Sequence, residues 1–142
     1  MAPVNFFQRI AIAPPRTAIY RRLGFRPDST RLSEAQRRET EAAIDAAADL
    51  IRLAGASRRL AVIERGPGRI VLDGGAVLAS RRLADFLGAS REVLLMGATA
   101  GEAIMAAIRA DMAEGRATRG VVLDATRSEE RRVGKECTSV CR

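Results

Sequence analysis

A continuous apolar run from Val93 to Ala98 is the most constraining stretch of this chain, long enough for a buried strand and too short for a helix. It ends in Thr99-Ala100-Gly101-Glu102, a T-x-x-E pattern, in which a Thr hydroxyl and a Glu carboxylate satisfy the first free N–H groups of a helix. That helix carries Ile104, Met105, Ile108 and Met112 on one side and is expected to stop near Gly115, a residue suited to a left-handed C-terminal cap. A strand that delivers a Thr/Gly turn onto a helix N-terminus is a place where anions bind, and it is also an ordinary connection. Local physics favours the ordinary connection.

The rest of the chain supplies partners for this unit. Phe6 to Ala13 is expected to form a short strand that ends at Pro14-Pro15, and Arg16 to Leu23 a two-turn helix with Ala18, Ile19 and Leu23 inward, closed by Gly24. Ser33-Glu34-Ala35-Gln36 is a capping box opening the longest helix, which is expected to run to about Ala54 before Gly55. Ile44, Ala47, Ala48 and Ile51 give it an apolar face; Glu41, Asp45, Asp49 and Arg52 share the other side as a solvated polar face. Leu60 to Glu64 and Arg69 to Leu72 read as a hairpin around Arg65-Gly66-Pro67-Gly68, followed by the turn Asp73-Gly74-Gly75 and a strand stub at Ala76-Val77-Leu78. Ser80 caps a helix from Arg81 to Leu87, with Leu83, Phe86 and Leu87 as an inward patch. Read alone, Val121 to Asp124 is a strand. The sum is one α+β domain of mixed helices and a small twisted sheet, of a size that supports one core.

Charge narrows the function classes. The 142 residues carry a net +7, yet up to Thr126 there are 19 arginines, no lysine and 14 acids, which leaves +5 for that part. The arginines are scattered among acids, as Arg37 is with Glu41 and Arg109 with Asp111, and form no single stripe. With one Tyr, four Phe and no Trp, platforms for stacking bases are scarce, so nucleic-acid binding is disfavoured. Met1 to Phe6 lacks the pattern of a signal peptide, and no window has the apolar length of a membrane span. The expectation is a soluble, cytoplasmic protein.

The last sixteen residues, 127–142, differ in kind. RSEERRVGKECTSVCR holds the only Lys (Lys135), both cysteines (Cys137 and Cys141) and no Ala, after an Ala-rich stretch free of Lys and Cys. RSEERRVGKEC resembles translated sequencing-adapter read-through. Residues 127–142 are therefore expected to be a non-native tail, with the natural chain continuing past Thr126 in other residues. The alternative is a natural basic tail with a C-x-x-x-C pair. Zinc would need four ligands where the chain has no His and no further Cys, and a disulfide would need an oxidising compartment. A chain cut at this point is expected to leave apolar surface uncovered and to aggregate.

No catalytic constellation stands out. There is no His, hence no Ser/His or Cys/His pair, and no H-E-x-x-H. Gly66-Pro67-Gly68 lies between strands, and Asp73-Gly74-Gly75 fits no phosphate-loop pattern.

The order of parts carries more than any single motif. Tyr20-Arg21-Arg22-Leu23-Gly24-Phe25-Arg26 precedes a long acidic helix and a hairpin. Leu78-Ala79-Ser80-Arg81-Arg82-Leu83-Ala84 then leads to Val93 through Gly101, and finally to Gly120-Val121-Val122-Leu123-Asp124-Ala125. Over about residues 16 to 126 this succession resembles the activation domain of cobalamin-dependent methionine synthase in its short stand-alone form. The resemblance implies a domain that binds S-adenosylmethionine and positions it over cobalamin that has slipped to the inactive cob(II) state, for reductive remethylation. It also implies a corrinoid-protein or methyltransferase-subunit partner. It turns Val121–Asp124 from a strand into the start of a helix. Thr99 and Gly101 match the family's Thr-x-Gly turn and Asp124 its Leu-Asp-Ala, which makes these three the cofactor-binding candidates, with a structural role as the competing reading of each. The family's Arg and Gly-Tyr-Pro motif for S-adenosylmethionine lies in a C-terminal part this sequence does not contain. No catalytic residue and no metal ligand is implied. The competing function is a structural or partner-binding domain of the same fold without the cofactor role.

Overall fold

The computed structural model describes residues 2–140, and side chains as far as Thr138. In chain order the elements are β1 (Asn5–Phe7), α1 (Arg16–Arg22), α2 (Glu34–Leu50), β2 (Ala54–Gly66), β3 (Arg69–Leu72), β4 (Val77–Ala79), α3 (Arg81–Phe86), β5 (Glu92–Thr99), α4 (Glu102–Ala113) and α5 (Ala117–Val140). The class is α+β. All strand pairs are antiparallel, and β2 organises them: its first part pairs with β1 and β5, its last part with β3, which in turn pairs with β4. The pairing of β2 with β3 slips between Val62 and Glu64, so the sheet curls there.

Several helix signals act as the sequence dictates. Ser33 Oγ accepts the Gln36 N–H at 3.2 Å while Gln36 Oε1 accepts the Ser33 N–H at 2.9 Å, the expected capping box. Ser80 Oγ accepts the Leu83 N–H. Gly24 and Gly115 follow α1 and α4 with φ of 85° and 76°.

Other boundaries differ, each for a physical reason. The first strand covers only Asn5–Phe7; beyond it the chain leaves the ladder, and the Ile10 N–H bonds to the Leu53 carbonyl instead. Pro15 is the N-cap of α1 rather than its first residue. α2 ends at Leu50 because Ile51 is extended (ψ 131°) and the Arg52 N–H is drawn to the Ala100 carbonyl at 2.8 Å. Gly55 is therefore a strand residue and not a helix stop. A Cβ there would lie 2.9 Å from Thr138 Cγ2 and 3.0 Å from the Gly97 carbonyl oxygen, so only glycine fits this approach. Met112 and Phe86, expected inward, are 47% and 82% exposed. Val121 to Asp124 lie within α5, on the helical side of the two readings.

The core is divided. Ile19, Ile44, Ala47, Ile51, Leu53, Ile104, Ile108, Val122 and Leu123 join all the long helices in one cluster, while Leu60, Ile70 and Leu72 form a second under α3. α5 extends through residues 127–140 and crosses the sheet face at Gly55, where Thr138 is buried and Gly134 packs on Leu53. It also carries two acids inward. Glu129 accepts from Arg22 Nε at 2.7 Å and Arg132 Nε at 2.9 Å, and these bonds, that of Arg132 first, hold its carboxyl below the usual range. Glu130 is 3% exposed, and its Oε1 has no hydrogen-bond partner. Cys137 is a free thiol; Cys141 lies outside the described residues. No described helix is long and apolar enough to cross a membrane.

Candidate functional site

The β5–α4 junction does not form the T-x-x-E box. The N-cap is Gly101, at φ 86° and ψ 172°, and no side chain caps α4. Thr99 remains the last strand residue and turns its Oγ1 to accept the Gly101 N–H at 3.1 Å, a turn of its own that removes the hydroxyl from the helix. Glu102 reaches forward to Arg109 at 2.6 Å instead of back to Thr99. The reason lies at Ala100: it is 4% exposed, and its carbonyl is held by the Arg52 N–H. The chain must then reverse at Gly101, where a Cβ would meet Arg52 Cβ at 3.3 Å and where the positive φ already selects glycine.

This turn forms one wall of an open pocket of about 430 Å3, completed by Met105 and by Arg127 and Arg131 of α5. Thr99 and Gly101 thus lie together at the pocket. Asp124 does not line it. Its carboxylate accepts from Arg127 Nε at 3.1 Å and Nη2 at 2.7 Å, so it orients a side chain that does. The uncapped first amides of α4 and Arg131 favour an anion at the pocket; its other charged side chains are paired, Glu102 with Arg109 and Arg127 with Asp124. Chemically this arrangement suits a carboxylate or a phosphate; the Thr99 hydroxyl accepts the Gly101 N–H and the Glu102 carboxylate accepts from Arg109. Among the described residues no group of three His, Cys, Asp or Glu side chains is close enough together to hold a metal ion.

The acids that the sequence sets beside Arg109 and Arg37, Asp111 and Glu41, are held by other arginines. Asp111, 1% exposed, accepts from Arg116 Nε at 2.9 Å and Arg119 Nη1 at 2.6 Å, clamping the α4–α5 turn. Its spacing was a usable signal, since Ile104, Ile108 and Asp111 fall at i, i+4 and i+7 on the buried stripe of α4. Glu41 accepts from Arg16 and, at 2.7 Å, from the Tyr20 hydroxyl, while Asp45 accepts from Arg16 Nη2 at 2.6 Å. The polar face of α2 is therefore tied to α1 and not merely solvated. Burial, and then the bond to Glu41, push the Tyr20 phenol up to about 12.

No family model matches this sequence, and no curated protein matches it either.

Proposed function

We propose that this chain is a cytoplasmic module of the methionine synthase activation-domain type, supporting S-adenosylmethionine-dependent reductive remethylation of cobalamin in a corrinoid methyltransferase, and so methionine biosynthesis. The observation that carries the reading is the β5–α4 turn. Thr99 and Gly101, the residues that match the family's Thr-x-Gly, border an open pocket suited to the carboxylate of an amino-acid-like ligand, with Asp124 steering Arg127 into it. The pocket's side chains bind and orient; the transfer chemistry belongs to the partner's cobalamin.

Isothermal titration with S-adenosylmethionine, then with a cobalamin-loaded methyltransferase subunit, tests this. Heat with either ligand, lost in Gly101→Val, supports it. No heat with either sinks it. Because Arg127 and Arg131 fall in the stretch that resembles adapter read-through, the same titration on Arg127→Gln/Arg131→Gln separates a site built by the turn from one built by the tail. The second reading, a partner-binding domain of the same fold, is favoured by the engagement of Thr99, Glu102 and Arg127 in bonds within the chain, and predicts capture of the methyltransferase subunit with no response to S-adenosylmethionine.

A further inference from the structure

On the far side of α1 lies a second pocket, of about 590 Å3, between α1, the loop after it and α2. Its charged lining is entirely basic: Arg16, Arg21, Arg26 and Arg37, with no carboxylate among the lining residues. Arg16 is already neutralised by Glu41 and Asp45. For Arg21, Arg26 and Arg37 the structure shows no ion pair with any described carboxylate; other surface arginines share that state, and what sets these three apart is that they line one pocket. Three arginines without an ion pair thus line one cavity, with Glu41 behind its wall held by Arg16 and Tyr20. Like charges gathered within a Debye length repel one another, and a bound anion relieves that repulsion.

The walls are ordered. Tyr20 and Phe25 pack with ring centroids 5.5 Å apart, tilted by 40°, and both line the cavity. The loop that carries Arg26 is closed on itself: the Arg26 N–H donates to Thr30 Oγ1 at 2.9 Å and the Thr30 N–H to the Arg26 carbonyl at 2.8 Å. Arg37 projects from the second turn of α2, behind its intact capping box. The three cations therefore come from a helix end, a fixed loop and a helix start. A guanidinium fork matches two phosphate oxygens at once, and three forks match a group carrying two to four charges better than a single carboxylate.

We propose that this pocket binds the di- or triphosphate group of a small molecule, with Arg21, Arg26 and Arg37 as its phosphate-binding residues. The site is separate from the β5–α4 pocket, and none of its lining residues falls within 127–142. The group's source is either an inorganic polyphosphate or a nucleotide, whose base would use the aromatic wall.

The test titrates the 142-residue chain calorimetrically with pyrophosphate, ADP and adenosine at 50 mM and 200 mM NaCl, where the salt levels are chosen to reveal ion release, on the order of tenfold for a few phosphate contacts. Expected are binding of pyrophosphate and ADP, weakening with salt, no binding of adenosine, and about tenfold loss for Arg26→Gln and for Arg37→Gln. Tenfold tighter binding of ADP than of pyrophosphate assigns the source to a nucleotide, and equal affinity assigns it to phosphate alone; both sustain the proposal. These glutamine variants remove exposed charges and should melt as the parent does, which circular dichroism checks. Three outcomes overturn the proposal: no binding of either phosphate at 50 mM NaCl, unchanged affinity in Arg26→Gln/Arg37→Gln, or loss only in Arg127→Gln/Arg131→Gln. Retention of a single-stranded oligonucleotide without pyrophosphate overturns it as well.

Discussion

Glu130 is the residue whose chemistry departs furthest from its surroundings. Its side chain borders a cavity of about 210 Å3 lined by Ile10, Ile12, Ile51 and Leu53, and burial alone pushes its carboxyl up to about 7. Arg9 and Arg52 share that lining, but Arg52 spends its guanidinium on the carbonyls of Asp49 and Ile51, at 2.6 and 3.0 Å. A carboxyl whose folded value is raised binds its proton more tightly in the fold than in the unfolded chain. Stability therefore falls as pH rises from about 4 through about 7, and stays low above. Glu130→Leu should abolish that slope and add about 2–3 kcal/mol at pH 8, with little effect at pH 4, as read from urea midpoints at both pH values. Asp111 is the converse case, a buried acid with two cations. Asp111→Ala leaves Arg119 without a counter-charge and Arg116 with Glu114 alone, and should cost about 2 kcal/mol because both guanidinium groups are half exposed; Asp111→Asn should cost less. Chemical denaturation of the pair of variants separates charge from shape.

At the scale of elements, Gly55 decides how closely α5 approaches the sheet. Gly55→Ala places a methyl against the Gly97 carbonyl, which cannot swing aside as a side chain does, and should cost about 1–3 kcal/mol, whereas Gly97→Ala, with open space around it, should cost under about 1 kcal/mol. The two melting curves check this. Those same glycines show what the sequence conceals. The interior of α2, the β2–β3 hairpin and a strand at Val93–Ala98 were legible because capping, turn chemistry and apolar runs are local. The burial expected of that strand does not hold, with Leu95 and Met96 39% and 38% exposed on an edge of the sheet. Where α2 stops was not, since Gly55 carries the same residue type whether it ends a helix or lies under a crossing one. Thr99 and Glu102 had the spacing of a cap, but the bond from Arg52 to Ala100, across 48 positions of chain, determined the turn. Of the candidate site, the Thr99–Gly101 turn could be read in advance; the link from Asp124 to Arg127, an i,i+3 pair within α5, could not, because the change of composition after Thr126 hid the continuation of the helix.

For the whole molecule, the outward side of the sheet is the main liability. Gly55 faces α5, so its neighbours in β2 point away. The row Phe6–Ala56–Gly97 and Leu95 therefore look outward, Phe6 at 75% and Leu95 at 39% exposure. Ile63, Val77 and Phe86 add exposed apolar surface near the hairpin. The isolated chain is expected to elute as concentration-dependent oligomers in size-exclusion chromatography, with Phe6→Ser/Leu95→Gln shifting it toward monomer. A single monomeric peak at every concentration would contradict this.

β2 is a single strand of 13 residues that starts next to Leu53 of the helical core and carries Leu60 of the second core, and the two cores share no buried side chain. Its register slip at Val62/Glu64 lies just past the point where the strand leaves β5 for β3. The hairpin end is then a hinged flap on a rigid stem, and breathing of the flap need not disturb the helices. Deuterium uptake should report this as two rates along one strand: slow at the amides of 55–60, which melt only with the whole, and faster at 64–66, which open with β3 and β4. A continuous backbone here carries a boundary between two cooperative units.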